Sequence, residues 1–149
     1  ARPHSFKPPH PQFTLNANFS DGATLIGYDL EISDNLHPGD PFKLTLYWHS
    51  QAGFNRSWTV FAHIVDAESR IWGQQDQIPG NGDFPTTSWI PNAYITDTRL
   101  LQLNTDAPTG RYHIKVGLYD ANSPTFERVL VDGDDAVLLE TPIQASAGK

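Results

Sequence analysis

Pro108-Thr109-Gly110-Arg111-Tyr112-His113-Ile114-Lys115-Val116-Gly117-Leu118-Tyr119-Asp120 is a turn that feeds a strand. The Pro-x-Gly step punctuates the chain, and beyond it Tyr112, Ile114, Val116 and Leu118 fall at every second position. That alternation puts four apolar side chains on one face of a half-buried β-strand. Tyr112 stands just inside the strand after a glycine turn. This is the position of a tyrosine corner, in which the phenol bonds back to upstream backbone. The expected acceptor lies between Thr105 and Pro108.

The same period-two pattern recurs on both sides of this segment. It predicts strands at about 13–19, 24–32, 42–49, 58–66, 70–76, 94–103, 111–119 and 136–143. In the third, Phe42, Leu44, Leu46 and Trp48 point one way, and Lys43, Thr45, Tyr47 and His49 the other. Trp48 shares its face with leucines and is expected at the centre of the core. Leu36-His37-Pro38-Gly39-Asp40 and Asn122-Ser123-Pro124 mark turns, and in Val131-Asp132-Gly133-Asp134-Asp135 the glycine can take positive φ. No stretch of ten residues keeps a 3.6-residue apolar period. Eight short strands at this spacing predict an all-β fold, an antiparallel immunoglobulin- or fibronectin-like β-sandwich over residues 13–144. Residues 1–12 hold four of the twelve prolines and read as a semi-rigid linker or arm. Residues 145–149 read as a small-residue tail.

Composition narrows the function. The 149 residues suit one domain with a real core. With no cysteine, there is neither a disulfide framework nor a thiolate metal site. Methionine is absent too, even at the start, as expected of a processed product or a segment of something longer. No run reaches the length of a membrane span, so this segment is expected to be soluble, without direct membrane insertion. Ten Lys+Arg against seventeen Asp+Glu leave a formal charge of −7 and no basic stripe, which argues against nucleic acid.

Asn18-Phe19-Ser20-Asp21-Gly22 with Leu25-Ile26-Gly27-Tyr28-Asp29-Leu30 is similar to the opening of a known domain type. The likeness continues through Pro38-Gly39-Asp40, Leu44-Thr45-Leu46-Tyr47-Trp48 and Val60-Phe61-Ala62-His63-Ile64-Val65-Asp66. Gln74-Gln75-Asp76, Pro85-Thr86, Trp89, Asp97, Gly110-Arg111-Tyr112 and Val116-Gly117-Leu118-Tyr119-Asp120 complete it, over about residues 13–140. Together these resemble the C-terminal β-sandwich domain of bacterial membrane glycosyltransferases that take sugars from polyprenyl-phosphate carriers. Such enzymes are common in filamentous thermophilic bacteria of the Chloroflexus type. The resemblance implies a non-catalytic, extracytoplasmic accessory module, at the cell surface or secreted, and carries over no catalytic residue.

The long connection 77–93 breaks the strand rhythm and is the first place to look for a site, since loops of this length are usually functional or packed as Ω-loops. It brings Asn81, Asp83 and Trp89, with Tyr94 at its end and Trp72 in the strand before it. Aromatic faces beside orienting polar groups suit a glycan or a neighbouring protein. The plainer reading of a loop tryptophan is an anchor plugged onto the sandwich. His63 sits among apolar residues and is expected to be buried and satisfied by Asp76 or Asp97. No G-x-S-x-G or HExxH motif accompanies it, so no catalytic residue, cofactor or metal is assigned and no enzyme is expected. Asp132, Asp134 and Asp135 supply too few oxygens for calcium, and His4 and His10 stand too far from other ligand types for zinc. Asn18 and Asn55 match the glycosylation acceptor pattern. A second reading is a structural subunit of a surface filament or layer, self-assembled through residues 1–12 and exposed sheet edges.

Overall fold

The computed structural model describes residues 5–147. Eight strands follow in order: β1 (Phe13–Asn18), β2 (Ala23–Glu31), β3 (Pro41–Ser50), β4 (Thr59–Val65), β5 (Ile71–Gln77), β6 (Tyr94–Gln102), β7 (Gly110–Tyr119) and β8 (Val137–Ala145). Every predicted strand is present, with ends displaced by no more than two residues. A single 3₁₀ turn, Thr86–Ser88, interrupts the β5–β6 connection. The strands form two four-stranded antiparallel sheets, ordered β1-β2-β3-β6 and β5-β4-β7-β8. The fold is the expected β-sandwich.

Alternation decides which side chains meet between the sheets. Leu44, Leu46 and Trp48 face inward from β3, Val60, Ala62 and Ile64 from β4, and Ile114, Val116 and Leu118 from β7. Trp48 is completely buried, beside Phe19 and Trp89 at ring-centroid distances of 5.4 and 6.1 Å. The tyrosine corner forms as expected: Tyr112 is buried and its hydroxyl donates to the Pro108 carbonyl. Tyr112→Phe removes that buried bond and should cost about 1–2 kcal/mol. A urea denaturation midpoint equal to that of the parent protein would show that the corner contributes nothing.

The two long seams of the sandwich differ. Along β1 and β8 the sheets part into a cleft of about 540 Å³ lined by residues such as Phe13, Leu15, Val137 and Leu139. Tyr28 Oη meets Thr141 Oγ1 there at 2.6 Å. Along β5 and β6 the seam is closed by charge. Asp97 and Arg99 share parity with Ile95 and Leu101 in β6, so both point inward. Their Oδ2 and Nη2 lie 2.5 Å apart with both side chains fully buried. Arg99 also donates to the Val60 carbonyl at 3.0 Å and to Gln75 Oε1 at 3.1 Å, tying β6 to β4 and β5.

Two connections cover the sandwich. In the 120–136 segment, Asp132 (φ +49°) and Gly133 (φ +88°) make a two-residue turn closed by Val131 and Asp134. Successive left-handed residues are what a type I′ hairpin requires. Asp135 pairs with Arg128 at 3.0 Å, so its carboxylate is engaged outside the turn. In the 78–93 segment, Gly80, Asn81 and Gly82 adopt positive φ in succession. Asn81 is the residue type that best tolerates this between glycines.

Candidate functional site

The 78–93 connection is pinned at three points. The Gly80 amide donates to Asp97 Oδ1 at 2.9 Å, so the buried ion pair also holds the start of the loop. Thr86 is buried, with Oγ1 donating to the Arg56 carbonyl (2.6 Å) and accepting from the Trp58 amide (2.9 Å). Trp89 is 2% exposed; its indole N–H donates to the Phe84 carbonyl at 2.9 Å, and its ring meets Phe54 edge-on. This corrects one expectation. Trp89 is the loop's anchor in the core and offers no face to a ligand.

Trp72 also falls outside the site. It lies near the far end of β5, half-buried against the core, and its indole N–H donates to Asp66 Oδ2 at 2.9 Å. That bond is the leading cause holding the Asp66 carboxyl down at about 2. The other three candidates converge. Asn81, Asp83 and Tyr94 line one cleft of about 580 Å³, together with Phe84, Thr96 and Thr98.

This cleft is one end of a longer polar groove on the outer face of the first sheet. The strand register stacks outward residues in rows across β2, β3 and β6: Asp29, Thr45 and Thr98 in one, and Glu31, Lys43 and Leu100 in the next. Thr98 and Lys43 recur in two adjoining clefts, of about 490 and 300 Å³. The groove thus crosses three strands, about 10 Å between the outer two. Its floor is hydroxyl-rich, with Thr45 and Thr98 oxygens 3.2 Å apart. Tyr47 donates to Asp29 Oδ2 at 2.5 Å. Burial, reinforced by that carboxylate, pushes the Tyr47 phenol up to about 12, so it remains a proton-bearing donor. At the loop end the Tyr94 and His49 rings lie 4.7 Å apart. Lys43 lends no free positive charge, being paired with Glu31 at 3.0 Å.

The proline-rich start supplies a wall that sequence reasoning missed. The Tyr94 amide donates to the Ser5 carbonyl at 2.8 Å, and Pro11 packs over Gly27 so closely that a Cβ there would lie 2.5 Å from it. Residues 5–12 therefore cross the sheet face from β6 to β2. The Gln12 amide donates to Asp29 Oδ1 at 2.6 Å, while Gln12 Oε1 accepts from the Leu30 amide at 3.0 Å. His10 and Gln12 line the groove beside Asp29. His4 lies outside the described residues. The only sequence signal was the small Gly27, whose bare face accepts the arm.

His63 is buried, as expected, but not satisfied by a carboxylate. It points outward from β4, with Nε2 3.9 Å from Asp76 Oδ1, beyond hydrogen-bond reach. Asp97 is engaged with Arg99 instead.

No family profile matches the chain, and no curated protein does. Among solved structures it is similar to the C-terminal domain of Wzt, with a TM-score of 0.59 and 12% identity over 94% of this chain and 84% of that one. It is also matched by a Niemann-Pick type C2 protein from the Japanese carpenter ant, with a TM-score of 0.46 and 8% identity over 92% of this chain and 98% of that one. At such identities the likeness to the Wzt domain is one of fold.

Proposed function

We propose that this chain is a non-catalytic glycan-binding module, and that the groove on its first sheet is where glycan lies. The observation that carries this reading is the groove's make-up. Hydroxyls of Thr45, Thr96 and Thr98, amides of Asn81 and Gln12, the carboxylates Asp29 and Asp83, and the ring of Tyr94 line a single open face. Donors and acceptors of this kind orient sugar hydroxyls, and an amphipathic ring suits the apolar face of a sugar. The groove is open, which suits a chain passing across it. With Lys43 neutralised by Glu31 and a formal charge of −7, a polyanion is disfavoured. The Tyr47–Asp29 contact positions a proton rather than exchanging it, in keeping with binding without chemistry.

The wider role rests on the motif resemblance: an accessory domain on the outer side of a membrane protein that processes glycan. A weak site there gains strength through repetition on the cell surface. The observation that bears on self-assembly favours the accessory reading, because residues 5–12 lie against their own sandwich.

NMR titration with neutral oligosaccharides tests the groove directly. Saturable shifts are expected at Asn81, Tyr94, Thr96 and Thr98, with a Kd of about 1 mM. Tyr94→Ala should weaken binding by about fivefold, the equivalent of roughly 1 kcal/mol of ring contact. Binding that leaves the resonances of Tyr94, Thr96 and Thr98 unmoved would overturn this placement, as would no binding at all.

A further inference from the structure

The opposite outer face carries a separate recess of about 240 Å³ lined by Phe61, His63, Asp76, Tyr119, Phe126 and Arg128, with Gln74 at its edge. Its floor is the Phe61 ring, lying flat over Gly117, where a Cβ would come within 2.3 Å of that ring. Arg128 stacks on Phe61 at 4.6 Å and is fixed by Asp135 at 3.0 Å. Asp76 is oriented through one oxygen: Oδ2 accepts from Tyr119 Oη at 2.9 Å and from Gln74 Nε2 at 3.3 Å.

Two polar atoms at this recess are buried without a hydrogen-bond partner among the described residues: Asp76 Oδ1 and His63 Nε2, 3.9 Å apart. His63 is 9% exposed. Orphaned polar atoms in a buried setting are unfavourable and call for an explanation. Their separation is too long for a direct bond, yet one oxygen can stand about 2.8 Å from each. Phe126 adds a second anomaly. It holds positive φ (+51°), costly for a bulky residue, and is 60% exposed as a residue, its ring edge-on to Tyr119 at 6.1 Å. Strain of this kind gathers at ligand sites.

We propose that this recess is a second binding site, for one neutral hydroxyl-bearing ring such as a single pyranose unit. The ring sits against Tyr119 and Phe126, above the Phe61–Arg128 stack, and one hydroxyl donates to Asp76 Oδ1 while accepting from His63 Nε2. The volume lies below that of drug-sized pockets, which suits one ring rather than a chain. Burial is the main influence lowering the His63 pKa; Asp76 opposes it, while Arg128 and Lys115 add to it. The hydroxyl's one proton goes to Asp76, so the neutral imidazole serves in the tautomer that carries its proton on Nε2. The site is independent of the groove, since it uses the other sheet and shares no residue with it.

The test is an NMR titration of the whole chain with methyl pyranosides of gluco, galacto, manno and 6-deoxy configuration, up to tens of millimolar. At least one should shift Phe61, His63, Tyr119 and Phe126 saturably, with a Kd in the millimolar range. Tyr94→Ala should leave those shifts intact, which separates this site from the groove. Asp76→Asn, which turns the free acceptor into a donor, should weaken binding at least tenfold, and so should Phe126→Ala. Phe126 is exposed, so its variant keeps the fold and decides the matter if Asp76→Asn does not. No saturable shift from any pyranoside would overturn the proposal. So would binding untouched by Phe126→Ala, or a crystal soaked in the same sugars showing only an ordered water between Asp76 and His63.

Discussion

Trp48→Ala is expected to destabilise the sandwich by about 3–5 kcal/mol, read as a fall in the guanidinium midpoint. The ring is wholly buried and touches both Phe19, just after β1, and Trp89, which anchors the long connection. The loss has two parts, the apolar transfer of the ring and the cavity left when rigid neighbours cannot close over it. Because Trp89 rests on Trp48, the 78–93 loop should loosen in step, and groove binding should weaken beyond the change in stability. Iodide should leave Trp48 fluorescence in the parent protein unquenched. A loss under about 1 kcal/mol would mean that the site collapses freely, against the close packing seen around it.

Asp97→Ala should cost a comparable 3–5 kcal/mol for a different reason. It leaves the Arg99 guanidinium buried without its counter-charge, the costly way to break a buried ion pair. It also frees the Gly80 amide and Gln77 Nε2, which both donate to Asp97 Oδ1. Replacing both members, Asp97→Leu with Arg99→Met, should recover most of the stability, because apolar residues of similar volume can substitute for such a pair. The glycan affinity proposed for the groove should stay low in the double variant, since the Gly80 anchor is still missing. Recovery of both stability and affinity would show that the pair does not hold the loop.

The strands were legible from apolar runs of strand length bounded by turn residues, with a period of two clearest at 110–119 and 41–50; β4 is buried on both faces and reads as a continuous apolar run. The Tyr112 corner was legible because its partner lies four residues upstream. The convergence of Asn81, Asp83 and Tyr94 followed from their places in and beside one loop. The orientation of Trp89 did not, because a loop tryptophan has no face periodicity to read. The Asp97–Arg99 pair was hidden in plain alternation: Ile95, Asp97, Arg99 and Leu101 share one face, yet charge there reads as solvent exposure until the two are seen to neutralise each other. The His63 recess draws on β4, β5, β7 and the 120–136 segment, so only cross-strand register assembles it. The proline-rich start read as a linker or arm, and nothing in its composition says which surface it will lie on.

The unequal seams have a consequence for recognition. The groove lies over β6, the strand that Arg99 and Asp97 fasten to the opposite sheet, and not over the parted β1–β8 side. A ligand arriving there meets a surface whose ordering entropy was lost when the chain folded. Affinity at an open site is eroded mainly by the freedom that loops and side chains give up on contact. Here the loop, arm and strand have already surrendered most of theirs, so a shallow face can hold a ligand without closing around it, and can release it as readily.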